Sequence, residues 1–224
     1  MNRPVAPRQL VLALDHATSF AREDFLEGPS NKAALALIDS WPDWPDRIMA
    51  LTGPEGSGKT HLASVWAEAA GARVLSAKLL EHGDLPAALA TGALVLEDLA
   101  PENLDEAALF HLLNLAREER AYVLITARTA PASFAVTVRD LASRLRAIPL
   151  VTLAAPDDAL LRSLIVKLAA DRQIAADEAL VSYLAHRIER SFAAARLAVR
   201  RLDEEALRQH RPVTRALAAE LFRA

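Results

Sequence analysis

The chain has 224 residues, 52% of them hydrophobic and 25% charged, and a formal net charge of −3. That length can bury a substantial core and the composition excludes a disordered chain. The mild acidity excludes coating of nucleic acid through bulk electrostatics, though not a local basic patch, and the lack of any cysteine excludes disulfides and thiolate metal sites.

The first 24 residues read as an arm. Its apolar run is too short for a secretory signal, and Asp15 and His16 interrupt it. No stretch has the uninterrupted apolar length of a membrane span, so the expectation is a soluble, cytoplasmic protein. Within the arm, "QLVLAL" alternates Leu10, Leu12 and Leu14 after Gln9. From the residues alone this reads first as an edge strand, with an extended docking peptide as the alternative.

A helix is expected from Asn31 to Ser40, broken by "WPDWP" because proline ends helices and restricts the residue before it. "RIMALTG" (47–53) is a buried strand. Lys59 to Ala70 follows as a helix with Leu62, Val65, Trp66 and Ala69 at helical spacing. "ALVLEDL" (93–99) is a second strand, 105–119 a helix with Leu109, Leu112, Leu113 and Ala116 on one face, "AYVLITA" (121–127) a third strand and "IPLVTL" (148–153) a fourth. Strands alternating with helices of this length predict an α/β fold, a parallel sheet flanked by helices. After Pro156 the pattern is helical only, with Phe192, Ala195, Val199, Leu202 and Ala206 forming one stripe, which predicts a small C-terminal helical lid. The organisation is therefore an arm (1–24), a nucleotide-binding core (25–155) and a lid (156–224).

The strongest chemical signal is Gly53-Pro54-Glu55-Gly56-Ser57-Gly58-Lys59-Thr60, with His61 next, placed after a strand and before a helix. Glycines let backbone N–H groups converge on phosphate oxygens at a helix N-terminus, Lys59 reaches the β and γ phosphates, and the Thr60 hydroxyl suits magnesium. Glu97 and Asp98 end a buried strand, where a carboxylate beside a phosphate loop holds magnesium or positions water. Thr126, at the end of the third strand, reads equally as a γ-phosphate neighbour and as a turn residue. Arg139, Arg144 and Arg146 precede the fourth strand and, on their own, read as solvated surface arginines. "RLAVRR" (196–201) reads as the solvated face of its helix, and the six histidines show no metal-ligand spacing.

Taken together, "FLEGPSNKAALALI" (25–38), "GPEGSGKTHLA" (53–63), "LFHLLNLARE" (109–118), "LITARTAP" (124–131) and "LASRL" (141–145) resemble, in order, the AAA+ domain of the bacterial replication initiator DnaA, from about Phe20 to Leu207. With the Q-L-x-L-x-L arm, the chain is similar to the Hda group of DnaA regulators, in the alanine-rich style of their alphaproteobacterial HdaA members. The resemblance implies an AAA+ core with ADP or ATP and Mg2+ bound, and Phe25, Leu26, Gly28 and Asn31 over the adenine. It implies that Arg144 is an arginine finger offered in trans to DnaA, and that Gln9, Leu10, Leu12 and Leu14 dock on the DNA polymerase III sliding clamp. A homodimer is a further possibility, and DNA would be met only through the clamp. The implied function is an adaptor that inactivates DnaA by stimulating hydrolysis of its ATP. The alternatives are a self-contained ATPase acting as a DnaC-like helicase loader, and a non-enzymatic scaffold.

Two departures from the family pattern bear on catalysis. Glu97 stands in the metal-proximal position and Asp98 in the catalytic one, reversing the usual reach of the two side chains. Ala193 stands where many members carry a sensor arginine, with Arg190 and Arg196 one turn away on either side. Both departures imply weak hydrolysis with diphosphate binding intact, the nucleotide serving as a brace.

Overall fold

The computed structural model describes residues 21–222; the arm motif Gln9–Leu14 lies outside them. Its sheet has five parallel strands in the order β2-β3-β4-β1-β5: β1 (Ile48–Thr52), β2 (Arg73–Ser76), β3 (Ala93–Leu99), β4 (Tyr122–Ala127) and β5 (Leu150–Thr152). Helices cover both faces. On one side α1 (Lys32–Asp39) and α2 (Lys59–Ala70) pack on Met49, Leu51, Val95 and Leu124. On the other, α3 (Leu85–Leu89), α4 (Glu106–Glu118) and α5 (Arg139–Ala147) pack on Leu94, Leu96, Val123 and Ile125. Alternate residues of β3 and β4 thus serve opposite cores. That is why these strands read as continuous apolar runs instead of an apolar–polar alternation.

Among the described residues, five strands stand where four were expected. β2 is the addition: it lies at the sheet edge, is four residues long, and leaves Val74 56% exposed. A short strand buried on neither face carries neither signal that the central strands carry. The α2 helix matches its expected bounds and ends where Gly71 adopts a left-handed cap at φ 60°. Ala69, expected on its apolar face, is exposed, because the buried side of α2 stops at Trp66.

From Asp158 onward α6 (Asp158–Asp171), α7 (Glu178–Arg187), α8 (Phe192–Gln209) and α9 (Arg215–Leu221) enclose a separate apolar cluster around Leu161, Ile165, Leu184, Val199, Leu202 and Leu217. Each helix begins on a side-chain cap, from Asp157, Asp177, Ser191 and Thr214 respectively, which satisfies one orphan amide of its first turn. The segment before α1 joins the two clusters: Phe25 belongs to the sheet core and Leu26, the next residue, packs on the helical cluster. Lys167 of α6 adds an ion pair to Asp24 at 2.6 Å.

Candidate functional site

The turn between β1 and α2 is shaped by close contacts. A Cβ on Gly53 would lie 2.4 Å from the carbonyl oxygen of Leu153, and Gly56 and Gly58 adopt φ of 71° and 97°. These positions therefore require glycine. The first-turn amides of α2 have no intrahelical partner, so they and the positive end of the helix face the cleft. Lys59 is buried, and its ammonium donates to the carbonyl oxygens of Gly53 and Pro54, both at 2.8 Å. Burial pulls the Lys59 pKa below the ordinary lysine value, against an opposing pull from Asp98.

The acidic pair is placed by an irregularity. Register between β3 and β4 shifts between Leu96 and Leu99, and Asp98 sits at φ 55°. In a regular strand Leu99 would share a face with Val95; instead it joins Leu94 and Leu96 in the core against α4. One extra residue has been inserted, as in a β-bulge. Glu97 thereby keeps the α2 side, where the Thr60 hydroxyl bonds its carboxylate, while Asp98 turns to line the cleft. The buried Thr126 hydroxyl accepts the Asp98 N–H at 3.0 Å, which holds the left-handed residue in place. Thr126 therefore has a defined positional task at the strand end. Burial, and then the neighbouring Asp98, push the Glu97 pKa above the ordinary glutamate value.

The lid reaches the phosphate loop directly. The Phe192 N–H donates to the Gly56 carbonyl at 2.8 Å, and a Cβ on Gly56 would meet Ser191 Cβ at 2.8 Å and Ala193 Cβ at 3.2 Å. Phe25, Glu55, Gly56, Gly58, Lys59, Thr60, His61 and Asp98 line the cleft, together with Arg128, Phe192, Ala193 and Arg196. Phe25 and Phe192 face each other with ring centroids 6.4 Å apart and planes 15° from parallel. His61 packs edge-on against Phe25 at 5.2 Å, and its Nε2 lies 3.1 Å from the Ala21 carbonyl, which places the proton on Nε2. Burial lowers the His61 pKa, so the ring is neutral at pH 7.

Of the segment expected over the base, Phe25 reaches the cleft. Leu26 packs on the lid, and a Cβ on Gly28 would meet Leu160 at 3.0 Å. Asn31 is 1% exposed; its amide accepts from the Gly28 N–H and donates to the Leu26 carbonyl, both at 2.8 Å. These three residues set the shape of the turn that carries Phe25. Pro54 contributes its carbonyl to Lys59, and Ser57 is buried beneath the loop with no hydrogen-bond partner for its hydroxyl.

Two arginines flank Ala193 in sequence, and the structure separates them. Arg190 is drawn away to Asp158 at 2.7 Å, whereas Arg196 is half-buried in the cleft wall. Arg128 lines the cleft without having been singled out in the sequence. Its only signal was its place one residue beyond a buried strand.

Arg144 is not among the cleft-lining residues. It lies on α5, its guanidinium 4.7 Å from the centre of the Phe110 ring on α4, and its Nη1 is buried without a hydrogen-bond partner. Arg139 and Arg146 on the same helix are exposed. The loop leading into α5 is tied to α4 by Glu106, which accepts from the Thr137 N–H at 2.9 Å and the Val138 N–H at 2.8 Å. Those bonds hold the Glu106 carboxyl below its ordinary pKa.

The donor set suits a nucleotide with magnesium: a glycine-shaped amide cradle, a lysine, and a hydroxyl bonded to a carboxylate. Among the described residues no group of three or more acidic or histidine side chains forms an independent metal site. None of the described helices is long and apolar enough to cross a membrane.

No protein-family model matches the chain, and no curated protein matches it significantly in sequence. Solved structures do match in shape. Domain III of the Thermotoga maritima replication initiation protein DnaA superposes at TM-score 0.73 with 18% identity, over 92% of this chain and 96% of that one. DnaA from Aquifex aeolicus, in a structure bound to AMPPCP, gives 0.68 at 19%, over 87% and 69%. The Thermotoga maritima RuvB Holliday junction branch migration motor gives 0.63 at 20%, over 78% and 60%. At such identities the likeness establishes the fold alone: a parallel sheet with flanking helices, arranged as in DnaA domain III and the RuvB motor.

Proposed function

We propose that this chain binds ADP, with Mg2+, in the cleft between its phosphate loop and lid, and acts as an adaptor that inactivates the initiator DnaA. In this reading it docks on the DNA-loaded sliding clamp through Gln9, Leu10, Leu12 and Leu14. It then presents Arg144 to ATP held by DnaA. The observation that carries the reading is the division of labour between two arginine-bearing edges: Arg196 and Arg128 serve the chain's own cleft, while Arg144 stands outside it on α5.

The amides of the phosphate loop and Lys59 would hold the diphosphate, and Phe25, His61 and Phe192 offer the aromatic surface for the base. Magnesium, held through Thr60 and Glu97, neutralises phosphate charge when bound. Because Phe192 bonds the Gly56 carbonyl, and Phe25 of the sheet core is followed by Leu26 on the lid cluster, a nucleotide in this cleft fastens core to lid. That is a bracing task and requires no turnover. Arg144 suits charge stabilisation elsewhere: the residue is half-exposed on α5, and the Phe110 ring supports its guanidinium. A guanidinium aimed at a transferring phosphoryl group accelerates related hydrolyses by about 10³–10⁵.

The test is hydrolysis of ATP prebound to DnaA, with DNA-loaded clamp present, comparing no addition, this protein and Arg144→Ala. Stimulation by the intact chain and its loss in the variant is the expected result; equal stimulation by both overturns the finger assignment. One observation favours a second reading, a self-contained ATPase of the helicase-loader kind. Arg196 lines the cleft beside Ala193 and can supply the lid cation that hydrolysis needs. Rapid ATP turnover by the chain alone would establish that reading instead.

A further inference from the structure

Two guanidiniums rest on one ring at the far side of the lid. Tyr183 of α7 is half-buried, with Arg187 5.6 Å and Arg215 5.8 Å from its centre. Together with Ala179, Ser182 and His186 they line a shallow depression between α7 and α9. Both arginines are exposed. Elsewhere in the lid Arg162, Arg190, Arg200, Arg208 and Arg211 each meet a carboxylate. Among the described residues no carboxylate meets Arg187 or Arg215: Glu178 is taken by Arg162, and Glu220 on α9 by Arg211.

Two like charges gathered on one ring repel each other. Arg187 lies in the last turn of α7, where a cation is favoured, but Arg215 opens α9, where it is not. The aromatic face attracts each cation without neutralising either. An anion shared by the two forks would remove the repulsion. The charge of the whole chain says which kind of anion fits. From residue 156 onward lysines and arginines outnumber carboxylates, whereas in the rest of the chain carboxylates outnumber them. A uniformly charged polyanion therefore draws the lid inward and repels the core, which orients the molecule. A lone acidic side chain satisfies one fork; successive backbone phosphates satisfy both.

We propose that the α7–α9 face of the lid binds the phosphodiester backbone of duplex DNA through Arg187 and Arg215, with Tyr183 as their support. The choice of duplex over other polyanions rests on the clamp reading above, because DNA inside a loaded clamp is the polyanion nearest to a chain docked there. Backbone contacts of this kind carry no sequence preference. They add a second, weak attachment to that of the arm, and each attachment raises the effective concentration of the other.

The experiment measures fluorescence anisotropy of a labelled, random-sequence duplex across a salt series. It uses the full chain, its Arg187→Gln/Arg215→Gln and Arg187→Lys/Arg215→Lys variants, and Arg200→Gln/Arg208→Gln as control, with binding to DNA-free clamp measured in parallel. The first glutamine pair is expected to weaken duplex binding about tenfold at low salt and to lower the slope of log K against log salt by about two. The lysine pair should keep most of the binding, since a backbone contact needs the charge more than the fork. The control pair should bind as the unmodified chain does. Melting temperatures and clamp affinity should be unchanged in all three variants. No duplex binding by the unmodified chain, or binding that the first glutamine pair leaves intact, overturns the proposal. So does displacement of the duplex by polyglutamate as effective as that by unlabelled DNA of equal charge, which would assign the face to an acidic protein. Duplex binding without clamp binding overturns the clamp reading and leaves the lid site standing.

Discussion

The cleft and the α5 edge both carry arginines, and their surroundings differ. At the cleft, several groups are matched within the chain: the Lys59 ammonium on two carbonyls, the Asp98 N–H on the Thr126 hydroxyl, and Glu55 on Arg128. On α5, Arg144 is held by packing against Phe110, and one of its nitrogens is buried without an acceptor. A matched site keeps its shape while it waits for a ligand. Arg144 is half-exposed and its guanidinium rests on an aromatic face, so neighbours fix its position while part of the group stays open to an acceptor from another molecule.

The largest effect that would break this contrast is at Arg144. Its change to alanine should reduce stimulation of DnaA-bound ATP hydrolysis by about 10³-fold or more. The melting temperature should hold or rise slightly, since an orphaned donor is removed. Lysine at this position should not rescue, because the planar fork is lost. A fall in stability with stimulation retained would mean that Arg144 is merely a packing residue.

Next in size is Gly56→Ala. A side chain there adopts φ 71° and collides with Ser191, so the variant should lose about 1–3 kcal/mol and let the lid part from the loop. Nucleotide affinity should fall with it, whereas an unchanged affinity would separate the lid contact from binding. Arg196→Ala should weaken ATP about tenfold, and Arg190→Ala, whose partner is Asp158, should leave it unchanged. Equal effects would mean that the cleft does not distinguish them.

The smallest expected effects are titrations. Glu106 has a lowered folded pKa, so its contribution is complete above the ordinary glutamate value of about 4.3 and is lost as pH falls through the lowered one. Below that range, melting of the unmodified chain should converge on that of Glu106→Gln. Glu97 has the opposite sign: its folded pKa is raised, so its ionisation costs stability at neutral pH. Glu97→Gln should therefore melt slightly higher at pH 7 without nucleotide and lower at no pH. A drop would place its carboxylate among the stabilising groups.

How far the site was legible follows from what each residue depends on. The loop from Gly53 to Thr60 was readable because local backbone demands fix glycine at set intervals, and Lys59–Ala70 because one helix carries both its start signal and its left-handed stop. The Glu97–Asp98 pair was readable as two carboxylates at a strand end, but the difference in their reach was the smaller issue. A register shift between β3 and β4, anchored by Thr126, sends them to different places. Asn31 was assigned to the base because of its position in a motif; what the sequence did not reveal is that its amide also shapes the turn that carries Phe25, through one accepted and one donated bond. Arg128 had only its place one residue beyond a buried strand as a signal, because its contact is with Glu55 in a loop distant in sequence.

By itself the sequence determined the central strands, the phosphate loop and the change to a helical C-terminal region. Each depends on periodicity or backbone preference within a few consecutive residues. The tertiary structure decided which residues share the cleft: Arg196 and not Arg190, Arg128 with Glu55, Ala193 against Gly56, and Arg144 outside it. Those choices depend on how separate helices pack and how strand ends register, and burial and electrostatic distance are properties of the assembled chain.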